Sequence, residues 1–143
     1  KAALLLNNGS VADKGKDGVR FYNIPPNSSY YVVIRHRNHL AVMSSVPVPL
    51  PNINPYNFAA DASYVLGNQQ TVAMPDGNWA MRAGDFNADG VFTVADFNFY
   101  TGQASMLNQY VDSDCNLDRT VTVADFNLYT PNASTIGIQQ IRY

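Results

Sequence analysis

The sequence predicts a mainly β fold with a small α part, in which a β-sandwich over residues 1–83 precedes a pair of loop–helix repeats over residues 84–143. In the first segment, six or seven short β-forming runs are separated by turn residues at the spacing typical of a sandwich. In the second, the hexapeptide Thr-Val-Ala-Asp-Phe-Asn occurs at 93–98 and again at 122–127. Apolar residues recur at every third position from the second residue of each copy, as on one face of a short helix: Val94, Phe97 and Tyr100, and Val123, Phe126 and Tyr129.

The first predicted strand is an apolar run near the start of the chain. It consists of Ala2, Ala3, Leu4, Leu5 and Leu6. Because an apolar segment of this kind is unlikely to stay free in water, we expect it to pair within its own domain or to insert into a neighbouring molecule. These five residues are therefore predicted to mediate assembly.

The remaining strands of the sandwich are predicted from β-forming residues between turn signals. Strands are expected at 19–24 and 30–37, and a turn at Asn38-His39 leads into a third strand over 40–46. Four prolines between 47 and 55 allow at most an edge strand or an extended loop there. Further strands are expected at 56–59 and 70–74.

Each repeat of the second segment begins with a twelve-residue loop that carries oxygen-bearing side chains at alternate positions. A calcium ion needs six to eight oxygen ligands at about 2.3–2.6 Å, which a loop of this pattern can supply. The predicted ligands are Asp85, Asn87, Asp89, Val91 and Asp96 in the first loop and Asp114, Asn116, Asp118, Thr120 and Asp125 in the second, with Val91 and Thr120 contributing backbone carbonyls. Isolated Asp and Asn residues often form solvated turns instead, but two tandem copies with identical exit helices favour calcium.

The two loops differ at position 6, where the chain must turn sharply. Gly90 supplies that turn in the first loop, whereas the second has Arg119. We therefore expect the second calcium site to be weaker or more distorted. Position 12 is Asp in both loops, and the chain contains no Glu, so we interpret the sites as structural and not as a sensor that opens and closes.

The calcium repeats resemble a known family. No helix is evident before the first loop, since 78–84 is better interpreted as a strand running into a turn. With the Asp at position 12 and the loops starting 29 residues apart, residues 84–134 resemble the dockerin family of secreted bacterial proteins. The resemblance implies a calcium-dependent fold with pseudo-twofold symmetry that docks onto a cohesin-like receptor through positions 10 and 11, here Val94-Ala95 and Val123-Ala124. The segment 30–43 is similar to β-rich segments that precede calcium repeats in large secreted bacterial surface proteins.

Composition narrows the class of protein. Only 14% of residues are charged and the net charge is −2, which argues against nucleic acid as a partner. No run of 18 apolar residues is present, so no membrane span is expected. The chain begins at Lys1 without Met, which indicates a processed protein or a fragment. Low-affinity calcium loops work at roughly 10⁻⁴–10⁻³ M, so we expect an extracellular, secreted or cell-surface location.

Catalytic chemistry has little support in the sequence, and we expect no enzyme activity. No Glu is available as an acid, and six of the eleven Asp residues belong to the calcium loops. His36 and His39 could share a metal only if the chain turned at Asn38, and without a third ligand we interpret them as structural.

The single cysteine, Cys115, excludes an internal disulfide and is expected to be half-exposed.

Three sequons make covalent glycans possible partners, at Asn8, Asn27 and Asn132. Sugar would explain how a surface with few charges stays in solution. The sequence as a whole predicts a calcium-stabilised structural subunit of an extracellular filament or surface appendage, with other copies of itself as partners. The alternative is a dockerin-type adaptor that binds a cohesin-like receptor and anchors a larger secreted protein.

Overall fold

In a computed structural model, the structure describes residues 2–5, 10–13, 18–52 and 54–141. The strands within these residues are β1 Leu4–Leu5, β2 Val11–Ala12, β3 Ser28–Tyr30, β4 Val33–His36, β5 His39–Met43, β6 Val48–Leu50, β7 Thr71–Ala73 and β8 Trp79–Met81. The helices are α1 Val94–Gln103 and α2 Val123–Tyr129, with short 3₁₀ turns at Ala62–Tyr64, Thr130–Asn132 and Gln139–Ile141. The fold is thus built mostly of small β-hairpins with two short helices, in agreement with the predicted mainly β class.

The described strands form four antiparallel sheets of two strands each. The pairs are β1–β2, β3–β6, β4–β5 and β7–β8. The sandwich is therefore not confirmed and stays a prediction. The strand β6 contains Pro49, which lacks a backbone N–H, and it lies in a two-stranded sheet as the edge-strand prediction requires.

Two of the predicted strands are wrong. Residues 19–24 contain no strand, because Asn23 takes a left-handed backbone (φ +61°) and two prolines follow at 25 and 26. Residues 56–59 form a turn instead of a strand. There the Asn57 side chain accepts a hydrogen bond from the Ala59 amide (3.0 Å), which is the local turn geometry that Asn favours.

The chain divides into two compact units. One comprises Lys1–Tyr30 with Val48–Tyr56 and contains β1, β2, β3 and β6. The other comprises Tyr31–Pro47 with Asn57–Tyr143 and contains the remaining strands and both helices. The predicted module boundary after residue 83 falls inside this second unit, and a division there stays a prediction.

The core of the second unit is built largely from the two repeats. Its main cluster of buried residues consists of Leu40, Ala83, Phe86, Phe92, Cys115 and Tyr129. Phe86 and Cys115 both occupy position 2 of their loops, so the repeats contribute equivalent side chains to one core. Cys115 is accordingly buried, and the expectation that it would be half-exposed is wrong. Burial raises the pKa of its thiol to about 12, which disfavours the reactive thiolate.

Each helix starts at a capping box. The Thr93 hydroxyl accepts a hydrogen bond from the Ala95 amide, and the Asp96 carboxylate accepts one from the Thr93 amide; Thr122 and Asp125 repeat the arrangement in α2. This motif satisfies the free amides at a helix start. The sequence predicts that the first helix ends at Thr101-Gly102 and the second at Pro131. The helix α1 continues to Gln103, and α2 ends two residues before Pro131. Neither helix, nor any other in the described chain, is long and apolar enough to cross a membrane.

The two repeats exchange equivalent contacts. The Tyr100 hydroxyl on α1 donates to the Thr122 carbonyl (3.3 Å), and the Tyr129 hydroxyl on α2 donates to the Thr93 carbonyl (3.1 Å). The two tyrosines are 29 positions apart, as are the two threonines. Each helix is therefore tied to the start of the other helix by the same side chain.

Backbone hydrogen bonds from within each loop repeat this exchange. At position 8 of the first loop, the Phe92 amide donates to the Thr135 carbonyl, which lies beyond α2 (2.9 Å). At position 8 of the second loop, the Val121 amide donates to the Met106 carbonyl, which lies beyond α1 (2.9 Å). Each loop is thus closed by the segment that follows the other repeat's helix, so neither repeat is structurally independent.

Candidate calcium loops

In the first loop, the predicted ligands at positions 1, 3 and 5 engage the loop's own backbone. Asp85 accepts a hydrogen bond from the Gly90 amide through Oδ2 (3.2 Å), and Asn87 Oδ1 accepts one from the Asp89 amide (3.0 Å). Asp89 Oδ1 accepts from the Val91 amide (2.8 Å), while its Oδ2 accepts from Asn87 Nδ2 (2.7 Å). Hydrogen bonds within residues 85–91 therefore hold the oxygen atoms of these three side chains around one short turn of the backbone.

One oxygen of this loop has no partner. Asp85 Oδ1 is buried and forms no hydrogen bond, an arrangement that is costly for a carboxylate. Burial raises the pKa of Asp85 to about 6, with further increases from the negative charges of Asp96 and Asp89, while the hydrogen bond from Gly90 acts in the opposite direction. A divalent cation would both fill the free lone pairs and offset the like charges. The first loop therefore fits a calcium ion.

The position 12 carboxylates close both loops onto their exit helices. Asp96 Oδ1 accepts from the Phe86 amide (2.9 Å), and Asp125 Oδ1 accepts from the Cys115 amide (2.8 Å). Both side chains are fully buried. Since a carboxylate has about four lone-pair sites, these hydrogen bonds leave room for a cation.

The second loop repeats the pattern, but both oxygens of its first predicted ligand have partners. Asp114 Oδ1 accepts from the Asp118 amide (3.1 Å), and Oδ2 accepts from the Arg119 amide (3.1 Å). The Arg37 guanidinium also lies 3.4 Å from Oδ2 in a largely buried ion pair. Asn116, Asp118 and the Thr120 amide are joined as in the first loop. Because a cation already faces Asp114, we expect this loop to be the poorer calcium site.

The backbone conformation at position 6 is the same in both loops, although the residues differ. Gly90 has φ +84° and Arg119 has φ +72°, both in the left-handed region. Glycine adopts this region without penalty, whereas other residues are strained by roughly 1 kcal/mol or more. Position 4 is left-handed as well, at Ala88 and Leu117. The second loop therefore keeps the turn at the expense of local strain.

We expect exchanging the position 6 residues to reverse the ranking of the two sites. Arg119→Gly removes strain and a positive charge, so calcium affinity of the second loop rises by about 5- to 10-fold, equivalent to about 1 kcal/mol. Gly90→Arg is the matched control and weakens the first loop by a similar factor. Isothermal titration with Ca²⁺ measures both. Unchanged affinities in both variants would show that position 6 does not set the difference.

The turn between β4 and β5 contacts the second loop and the residue just before the first loop, which sequence reasoning missed. Asn38 is fully buried; its Nδ2 donates to the Asp114 carbonyl (2.7 Å), and its carbonyl accepts from the Gly84 amide (2.8 Å). Arg37 also packs its guanidinium over the Tyr110 ring, 3.6 Å from the centroid. The only sequence signal was the polar Arg-His-Arg-Asn-His run between two strands.

The predicted glycosylation residues lie in different environments. Asn8 is outside the described residues, and Asn27 is exposed. Asn132 is buried, and its Nδ2, the atom that would carry a glycan, donates to the carbonyls of Ala83 (2.9 Å) and Leu128 (3.0 Å). Modification of Asn132 would thus have to precede folding.

The predicted assembly residues form part of a hairpin. Leu4 pairs with Ala12 and Leu5 with Val11 in the β1–β2 sheet of the same chain. Ala2, Ala3 and Leu4 are exposed, and Leu6 is outside the described residues. The apolar run therefore pairs within its own domain, one of the two arrangements expected for it.

Comparisons with known proteins leave the resemblance to dockerins as an expectation from the loop motif. No protein-family model, curated protein or solved structure matches the chain. Across the described residues, no group of three or more His, Cys, Asp or Glu side chains is arranged to hold a metal ion. The predicted sites also depend on Asn and backbone oxygens, so calcium binding stays a prediction.

Proposed function

We propose that this protein is a calcium-stabilised extracellular structural subunit that assembles with copies of itself into a filament or surface appendage. The observation that carries the proposal is exposed apolar surface on an edge strand of the first unit. Leu4 on β1 is 52% exposed. Within the described residues the β1–β2 sheet has two strands, so each is an edge at which another strand could add.

Calcium has a mechanical role in this proposal. The ligands Asp85, Asn87, Asp89 and Asp96, with the Val91 carbonyl, would hold the first ion, and the equivalent residues would hold a second, weaker one. The reciprocal 29-residue contacts support a pseudo-twofold, dockerin-like pair. An ion in either loop would stabilise both repeats, because each loop is closed by the other repeat's chain. Such a unit is suited to a rigid subunit that stays folded outside the cell.

Strand addition is the simplest coupling between copies. A β1 strand that pairs with the sheet edge of a neighbour would gain main-chain hydrogen bonds, and its exposed Leu4 would cover the neighbour's apolar surface. Contacts of this head-to-tail kind propagate into open fibres. The short β1–β2 hairpin has little to lose by such an exchange, since it contains two residue pairs. A glycan on exposed Asn27 would be compatible with solubility of the subunit.

The test is the size of the purified chain in calcium. We expect long particles in electron microscopy and light scattering, and we expect Leu4→Asp to abolish them while the calcium-dependent melting temperature is unchanged. The matched control is Leu107→Asp, which places the same charge at another exposed leucine, 62% exposed, in the second unit. Particles of unchanged length with Leu4→Asp would exclude coupling through β1.

An adaptor function is the second candidate, and exposed valines favour it. Val94 and Val123 are the first residues of α1 and α2 and are 72% and 66% exposed. They occupy position 10 of the loops, where the resemblance to dockerins implies receptor contact. A wild-type chain that remains monomeric in calcium would favour this candidate, with a cohesin-like domain as the receptor.

A further inference from the structure

The only two histidines of the chain face each other across the β4–β5 hairpin. His36 pairs with His39 in the strand register, with Arg37 and Asn38 forming the turn between them. Directly opposite residues of an antiparallel pair project to the same face. The two rings are accordingly in contact, with centroids 4.7 Å apart and planes at 80°. The turn that a shared histidine site requires is therefore present.

A third donor atom completes the cluster. His36 Nδ1 lies 3.0 Å from His39 Nδ1, and Asn38 Oδ1 lies 2.8 Å from the first nitrogen and 2.7 Å from the second. The orientation of the Asn38 amide is fixed by its other end, because Nδ2 donates to the Asp114 carbonyl (2.7 Å). The Asn38 oxygen, and not its nitrogen, must therefore face the imidazoles.

No placement of protons gives a hydrogen bond between every pair of the three atoms His36 Nδ1, His39 Nδ1 and Asn38 Oδ1. If both imidazoles carry a proton on Nδ1, both can donate to Asn38 Oδ1, but the two N–H groups then stand side by side at 3.0 Å without a bond. If instead one Nδ1 donates its proton to the other, the accepting nitrogen has no proton of its own. Its lone pair then faces the lone pairs of the Asn38 oxygen, and no hydrogen bond forms between them. A cation that receives a lone pair from each atom removes the conflict.

We propose that His36 Nδ1, His39 Nδ1 and Asn38 Oδ1 form a facial three-donor site for a divalent transition metal ion, with Cu²⁺ the preferred ion. With metal–ligand bonds of about 2.0–2.1 Å, donors at right angles are about 2.9 Å apart, whereas tetrahedral donors are about 3.4 Å apart. The observed separations of 2.7–3.0 Å fit the right-angled arrangement. Nitrogen and oxygen donors in that geometry suit Cu²⁺ or Ni²⁺ and not structural zinc. Water would occupy the remaining positions.

The charges around the site are compatible with a bound ion. Burial lowers the pKa of His36, and it lowers that of His39 to about 4 with added effects from His36 and Arg37, so both rings are neutral at pH 7. Neutral imidazole is the form that binds metals. Arg35 and Arg37 both flank His36 in the sequence. Arg35 Nη2 donates to the Ile141 carbonyl (3.0 Å), and Arg37 Nη2 reaches Asp114 Oδ2 (3.4 Å) while its guanidinium lies over the Tyr110 ring.

Electron paramagnetic resonance of the untagged full chain tests the site. Cu²⁺ is added at pH 7.5 in excess Ca²⁺, which keeps the loop carboxylates occupied. We expect one Cu²⁺ per chain, with hyperfine splitting from two imidazole nitrogens, and affinity in the order Cu²⁺ above Ni²⁺ and Zn²⁺. Because the chain has two histidines, those nitrogens can only belong to His36 and His39.

Single substitutions assign the ligands. His36→Gln and His39→Gln should each remove one nitrogen from the splitting and weaken Cu²⁺ binding at least tenfold, and the double variant defines the background. If a variant fails to fold, ¹⁵N labelling of the wild-type imidazoles replaces it, and the Cu²⁺ hyperfine pattern should change from that of two ¹⁴N nuclei to that of two ¹⁵N nuclei. Splitting from one nitrogen or none, or binding equal to that of the double variant, would overturn the site.

Discussion

Calcium should raise the melting temperature of the wild-type chain by the order of 10 °C, and Asp85→Asn should remove more than half of that gain. A site at 100 times its dissociation constant stabilises the folded state by about 2.7 kcal/mol, and for a chain of this size each kcal/mol shifts the midpoint by about 3 °C. Asp85 provides the buried oxygen that has no partner, so its replacement removes the ligand that gains most from the ion. Thermal unfolding followed by circular dichroism, with calcium and with chelator, measures the gain.

The calcium-free melting temperature separates loss of a ligand from general damage. Without calcium, Asp85→Asn removes a buried charge that is not compensated, so stability should not fall. Asp114→Asn does the opposite: it leaves the largely buried Arg37 guanidinium without its carboxylate, so the calcium-free protein should be destabilised. Asp61→Asn, at an exposed turn in the same unit, controls for the change in net charge. A full calcium gain in Asp85→Asn would contradict a site in the first loop.

The sequence predicted those features of the structure that depend on interactions between residues close together in the chain. The capping boxes at Thr93 and Thr122 lie within three residues of their partners, and the helices start where the repeated hexapeptide places them. The left-handed turn at position 6 follows from the spacing of the loop, even where Arg119 replaces glycine. Local spacing and side-chain chemistry are sufficient for these features.

The parts that sequence did not predict depend on contacts between distant residues. Asn38 lies 76 positions from Asp114, and no local pattern marks it as the side chain that joins the hairpin to the second loop. The Arg37–Asp114 ion pair is of the same kind. The sandwich was inferred from strand spacing, which identifies hairpins but does not specify how they pair. The proposed histidine site is not predicted from the sequence because its third donor would be an asparagine within the turn itself.

Gly84→Ala should destabilise the protein by about 2–4 kcal/mol, a large effect for the addition of one methyl group. Gly84 has φ +120°, and a Cβ there would lie 2.6 Å from Tyr129 Cδ2 and 3.0 Å from Phe92 Cε1. Both rings belong to the core cluster shared by the repeats, so neither can move without disturbing its partners. The energetic cost of overpacking the core therefore adds to the cost of placing alanine in a disfavoured backbone conformation. Urea unfolding in calcium measures the free energy of unfolding.

Two other glycines separate the causes of that effect. Gly77 also has a positive φ (+86°), but a Cβ there would meet nothing within 4 Å, so Gly77→Ala should cost only about 1 kcal/mol for the backbone. Gly102 lies in α1 with open space around it, and Gly102→Ala should stabilise by about 0.5–1 kcal/mol. If Gly84→Ala behaves like Gly77→Ala, the Tyr129 and Phe92 rings yield readily and the core around the loops is loosely packed. If it shows the full loss, the start of the first calcium loop is held by the side chain of the second repeat, which is the coupling that lets an ion in one loop stabilise both.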